Sequence, residues 1–209
     1  MDFPVLHGAG YVGAIAITDE GVVAAGNFET AGNTKARNVV RWDGKKWNAM
    51  GSGIGTKKMA TWNNGNSMAV IKNHVYVTAT SLQKPGRLDL VGIWHWDGTT
   101  WKELPERAGM EQGPLVRFGD NLVAFFRDPS PGPAKAELCS WDGSAWSRLG
   151  SSFTLGRNDM PQAGGWVNCL YVRGKEILLG GFFSNINGLP VPGLAVWNVD
   201  SSSGPTRVK

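Results

Sequence analysis

One recurring motif constrains this chain more than any other property of its sequence. Trp42-Asp43-Gly44-Lys45-Lys46-Trp47, Trp96-Asp97-Gly98-Thr99-Thr100-Trp101 and Trp141-Asp142-Gly143-Ser144-Ala145-Trp146 share the pattern Trp-Asp-Gly-x-x-Trp, and Leu194-Ala195-Val196-Trp197-Asn198 is a degenerate fourth copy. The leading tryptophans recur at 42, 96, 141 and 197. A period of about fifty residues lies in the range where each repeat is one blade of a β-propeller, a unit that buries its apolar faces only by stacking on neighbours.

Each copy has the same internal plan. Ahead of the Trp-Asp-Gly stand two apolar stretches joined by a tight polar turn, as in Ala14-Ile15-Ala16-Ile17, Asp19-Glu20-Gly21, Val22-Val23-Ala24-Ala25. Lys72-Asn73-His74, Gly119-Asp120-Asn121 and Arg173-Gly174-Lys175-Glu176 punctuate the other three copies in the same way. Short β-branched and aromatic runs between Gly, Asn and Asp are strand-turn-strand signals. Asp-Gly after each tryptophan suits a two-residue hairpin, in which both central positions take positive φ. No segment reads as a helix. Apolar residues fall on both faces of the strand ending at each tryptophan, as sheets packed on both sides require. The expectation is therefore an all-β chain: a β-propeller with four blades of four antiparallel strands.

Blades are expected at about 11–52, 66–106, 114–151 and 166–200, within a single domain spanning 1–200. The fourth copy lacks a second Trp strand, whereas Phe3-Pro4-Val5-Leu6-His7-Gly8 reads like Trp146-Ser147-Arg148-Leu149-Gly150. The N-terminal strand is thus expected to complete the last blade and lock the ring, leaving 201–209 as a flexible tail.

Composition narrows the class further. The 209 residues include 29 Gly and 10 Trp, with only 18% charged, which excludes a disordered chain. No Gly-X-Y period exists, so the glycines punctuate turns rather than a collagen helix. No apolar run approaches a membrane span and the N-terminus lacks the plan of a signal peptide, so membrane insertion is not expected. The net charge of +4 comes from scattered Lys and Arg, which argues against a nucleic-acid partner. Cys139 and Cys169 lie in apolar segments and read as buried free thiols.

Gly26-Asn27-Phe28-Glu29-Thr30-Ala31-Gly32-Asn33, echoed by Gly181-Phe182-Phe183-Ser184-Asn185-Ile186-Asn187-Gly188 and combined with Trp-Asp-Gly-x-x-Trp-x-x-Leu-Gly, resembles the repeats of kelch-like, galactose-oxidase-like β-propeller surface proteins of bacteria and fungi. That resemblance covers nearly the whole chain. It implies the propeller fold and an extracellular or cell-surface setting, but no single activity, because the architecture hosts many. Such repeats more often come in sixes and sevens. Four blades could close alone, pair with a second chain as a homodimer, or belong to a longer protein.

The long connections all fall at one end of the blades: 29–37, 81–89, 127–135 and 184–192 between second and third strands, with 51–66 and 150–165 between blades. Irregular loops on a rigid scaffold are where binding residues belong. Trp62, Trp166 and Tyr11 stand just before inner strands, near the mouth of the expected channel, with Arg157, Asn158, Asp159 and Glu29 in the loops beside them. An aromatic ring beside fixed polar groups suits the C–H face and hydroxyls of a sugar. The same tryptophans could instead plug the channel. The expected function is non-catalytic binding of a glycan or a protein. The alternative is a hydrolase or lyase drawing on Glu29, Asp89, Asp128, Asp159, His7 or Tyr11.

Other motifs carry little. Gly8-Ala9-Gly10-Tyr11-Val12-Gly13 fits the dinucleotide fingerprint, but a strand follows where a helix is required. Ser81-Leu82-Gln83-Lys84 is a lone short match on a loop. Asp43, Asp97 and Asp142 read as turn residues. His7, His74 and His95 are not expected to meet, so no metal or other cofactor is expected.

Overall fold

A computed structural model describes residues 6–7, 10–55, 67–80, 91–162, 164–199 and 205–208. Among these every regular element is a strand, and the strands form a four-bladed β-propeller arrangement of antiparallel sheets. Blade one comprises Tyr11–Thr18, Gly21–Asn27, Val39–Trp42 and Trp47–Ala49. Blade two comprises Met68–Ile71, His74–Thr80, Val91–Trp96 and Trp101–Glu103. Blade three comprises Glu111–Phe118, Asn121–Arg127, Ala134–Trp141 and Trp146–Gly156. Blade four comprises Trp166–Arg173, Glu176–Phe182, Leu194–Asn198 and Thr206–Arg207. The chain divides into two compact units, Met1–Leu104 and Pro105–Lys209, each holding a pair of blades.

Packing within each unit follows from the alternation of side chains across a strand. In the first unit Val23, Ala25 and Val39 of blade one are buried together with Val75, Val77, Trp94 and Trp96 of blade two. In the second unit Val123, Phe125 and Leu138 of blade three meet Ile177, Leu179, Ala195 and Trp197 of blade four. Phe153 packs its ring edge-on to Trp197 with centroids 5.9 Å apart. In the first three blades the two tryptophans of the motif face each other across the third and fourth strands, at 5.2, 5.3 and 5.2 Å between ring centroids.

The Trp-Asp-Gly link differs from the two-residue hairpin that the sequence suggests. Trp42 pairs with Trp47 across four residues, and of Asp43 and Gly44 only the glycine takes positive φ, at 96°. Asp43 acts through its side chain: Oδ1 accepts the amides of Lys45 at 2.8 Å and Lys46 at 2.9 Å. Asp97 and Asp142 repeat this on Thr99 and Thr100, and on Ser144 and Ala145. These amide hydrogen bonds hold all three carboxyls below the ordinary carboxylate range, Asp43 at about 2. A carboxyl with a depressed folded pKa stabilises the fold above its unfolded pKa, and that contribution disappears as pH falls through the folded value. Acid titration from pH 4 towards about 2 is therefore expected to lower Tm. The triple Asp→Ala variant should begin with a lower Tm at neutral pH and show a flatter acid limb, both checked by thermal melts across that range.

The fourth blade corrects the expectation for the N-terminal strand. Its outer strand is Thr206–Arg207, in the region expected to be a tail, pairing with Val196 and Ala195. Ser147 and Arg148 pair with Ser140 and Cys139 at the matching positions of blade three. Pro205-Thr206-Arg207-Val208 thus repeats Trp146-Ser147-Arg148-Leu149, with proline where the tryptophan would stand. Leu6–His7 instead pairs with Ala31 and Thr30 of blade one. This copies the register of Leu155 and Gly156 on Ile186 and Asn185. Leu6–His7 therefore corresponds to the far end of an outer strand, six residues beyond the part that its sequence resembles. Cys139 is a buried thiol as expected, but Cys169, on the inner strand of blade four just after its bulge, is exposed.

Candidate functional site

The repeated glycine-phenylalanine segments explain how the loop end of each unit is built. Phe28 and Phe183 turn inward and are buried, and the residues after them fold into small hairpins, Thr30–Ala31 with Thr34–Lys35 and Asn185–Ile186 with Leu189–Pro190. Ala31 and Ile186 are buried beneath the hairpins. The 150–165 connection, read as a loop from the sequence, is strand as far as Gly156, where its edge pairs with the second hairpin. The remaining turn carries Arg157, Asn158 and Asp159.

Inner strands share a further feature at this end. The pairing slips between Val12 and Ala14, between Gln112 and Leu115, and between Val167 and Cys169, so the three fully described inner strands each carry a β-bulge one or two residues after their start. Bulges kink the strand and re-aim the residues beside them. Tyr11, Glu111 and Trp166 precede the bulge at equivalent positions, opposite Asn27, Arg127 and Phe182.

In the second unit this places an aromatic group beside a cluster of charges. The Arg127 guanidinium carbon lies 4.3 Å from the Trp166 ring centroid, a cation–π contact. Arg127 Nε donates to Glu111 Oε2 at 3.0 Å and Nη1 to the Gly165 carbonyl at 3.2 Å, so the guanidinium is fixed on three sides. Its side chain is 15% exposed. Trp166 is half-buried, and Phe182, directly across from it, is 65% exposed. In the adjoining turn Arg157 donates to both oxygens of Asp159, at 3.2 and 2.6 Å. The backbone N–H of Asn158 donates to Ser184 Oγ at 2.6 Å, and its side-chain oxygen accepts from Asn185 Nδ2 at 3.1 Å. The turn is thereby tied to the second hairpin.

The structure thus brings together Trp166, Arg157, Asn158 and Asp159 as residues at one end of the second unit. Tyr11 and Glu29 belong to the first unit. Tyr11 is half-buried, and burial pushes its phenol above the ordinary value. Glu29 is exposed beside the first hairpin, its carbonyl accepting the Ala36 amide at 2.8 Å. Trp62 and Asp89 lie outside the described residues. Sequence reasoning missed Arg127, Glu111 and Phe182 as site residues. Aligning the inner strands on their bulges rather than on their tryptophans would have put Glu111 and Trp166 at one repeat position.

The carboxylates here are committed to partners. Hydrogen bonds from Arg157 hold Asp159 below the ordinary carboxylate range, and those from the Ser130 side chain and amide do the same for Asp128. A glycosidase acid needs the reverse, a carboxyl raised towards neutrality. His74 and His95, expected to stay apart, are in contact, with His74 Nδ1 2.7 Å from His95 Nε2. No family model matches the sequence, and no curated protein matches it.

Proposed function

We propose that this protein is a non-catalytic binding module, taking a glycan or a protein ligand on the loop end of the unit formed by 105–209. The observation that carries this reading is the platform of half-buried Trp166, braced by Arg127, next to exposed Phe182. Rigid aromatic groups give large contact area at low entropic cost, and charged or amide groups beside them fix orientation. Arg157, Asn158 and Asp159 supply such groups, pre-positioned by hydrogen bonds. Exposed Met160 and Leu189 extend the apolar surface at that end, which suits a protein partner as well as a sugar ring.

A glycan array probed with the whole chain, followed by titration of the best ligand, tests the proposal. Phe182→Ala and Trp166→Ala are each expected to weaken binding by about tenfold or more, the effect of losing roughly 1.4 kcal/mol of ring contact. Asp159→Asn should bind within a few-fold of the parent chain. Turnover of the bound ligand that vanishes in Asp159→Asn would instead establish the hydrolase or lyase reading. Binding indifferent to both aromatic substitutions would remove this surface from consideration.

A further inference from the structure

We propose that His74 and His95 are a two-imidazole chelate for a divalent transition metal of the Cu²⁺, Ni²⁺ or Zn²⁺ type. The site lies in blade two, at the turn between its first and second strands, and does not depend on the binding surface of the other unit.

The local fold fixes both rings. Lys72 and Asn73 take positive φ, 48° and 65°, the conformation of a two-residue hairpin turn, and Ile71 pairs with His74 directly beyond it. His74 therefore stands at a strand end with little freedom to slide. His95 lies on the third strand between Trp94 and Trp96, both buried, which hold its backbone in place. Tyr76 is its direct cross-strand partner and stacks on it, with centroids 4.6 Å apart and planes 9° from parallel. The two imidazoles are themselves 4.9 Å apart at 28°.

The nitrogen separation fits shared coordination. Metal–imidazole bonds of about 2.0–2.1 Å place two donors at 90° about 2.9 Å apart, and two tetrahedral donors about 3.3 Å apart. The observed 2.7 Å reaches the first value by a ring movement of a few tenths of an ångström. In the metal-free contact one ring donates a proton to the other. Loading a metal moves that proton to the far nitrogen of the same ring, so two neutral imidazoles present two lone pairs and no redox partner is needed. Imidazole is a borderline ligand that favours these metals, with Cu²⁺ the tightest.

The surroundings leave the remaining coordination positions to water. Among the described residues no group of three or more His, Cys, Asp or Glu side chains converges on one point. Asp97 bears on His95 but spends Oδ1 on the amides of Thr99 and Thr100, while its Oδ2 lies 3.6 Å from Lys102 Nζ. A site with two protein ligands and open positions is an exchangeable one.

The test uses the full chain with CuSO₄ or NiCl₂ alone. Thermal melts against metal concentration should show Tm rising with metal, and the Cu²⁺ electron paramagnetic resonance spectrum should carry the splitting of two equivalent imidazole nitrogens. His74→Asn and His95→Asn should each weaken binding by about tenfold or more, while His7→Asn changes nothing. Should either Asn variant fail to fold, acylation of histidines in the parent chain gives the answer: metal must protect two of its three histidines. Binding unchanged in His74→Asn or His95→Asn, a one-nitrogen spectrum, protection of fewer than two histidines, or no Tm shift at millimolar metal would each overturn the proposal.

Discussion

Arg107→Ala is expected to destabilise the unit formed by 105–209 by about 4 kcal/mol, read as a lower urea midpoint by tryptophan fluorescence. The reason lies in Glu137, which faces inward from the third strand of blade three and whose side chain is only 6% exposed. Arg107 donates to its Oε2 through Nε at 2.9 Å and through Nη2 at 2.6 Å, whereas Arg148 reaches Oε1 at a weaker 3.4 Å. Removing Arg107 leaves a desolvated carboxylate with only Arg148 at 3.4 Å and the weak Cys139 thiol donor at 4.0 Å, the costly half of a broken buried pair. Removing the carboxylate is less harmful, because Arg107 and Arg148 are 28% and 45% exposed and can turn to water. The double variant Arg107→Met/Glu137→Leu should accordingly recover much of what Arg107→Ala loses. A double variant as unstable as the single one would show that packing, not charge compensation, holds this corner.

Gly181→Ala is expected to cost about 3 kcal/mol and to abolish ligand binding together with it. The bulge in the inner strand of blade four presses the Trp166 carbonyl and the Val167 Cα against Gly181, so a Cβ there would meet the carbonyl oxygen head-on. Gly26 faces Tyr11 and Val12 in the same way in blade one. Relief requires pushing the inner strand away at the residue that carries the aromatic platform. Gly174→Ala is the control: its φ of +59° imposes backbone strain, but nothing lies within 4 Å, so about 1 kcal/mol is expected and binding should persist. Melting curves and ligand titration of both variants separate the effects.

These cases show what the sequence could and could not reveal. The repeat period marks the blades because a tryptophan pair at the third-to-fourth-strand link of the first three, and a lone Trp197 in the fourth, is a local signal, visible wherever the chain is read. The Trp-Asp-Gly motif locates the hairpin at Asp43 but not its geometry, since the aspartate serves through its side chain rather than through positive φ. Thr206–Arg207 escaped notice because proline replaces the tryptophan that marks the other outer strands, although arginine recurs at the matching position. The charge cluster of Glu111 and Arg127 joins residues sixteen positions apart, and Arg107 with Glu137 thirty. The first pair arises from strand register and the second from a connection between blades, and periodicity does not encode which long side chain reaches which. The histidine pair was legible in principle. His74 follows a two-residue turn and His95 lies next to a motif tryptophan, so strand pairing sets them on one face of the sheet, diagonally across the Val75–Trp96 rung.

The outer strand of blade three runs past its own sheet and ends hydrogen-bonded to the hairpin of blade four. Those few rungs make the two blades one mechanical element. Neither can peel away from the other by parting side chains alone, since separation must also unzip backbone from backbone. Blades three and four should thus open in a single cooperative step, with no half-dissociated state in which the Trp166 platform survives on a detached fourth blade.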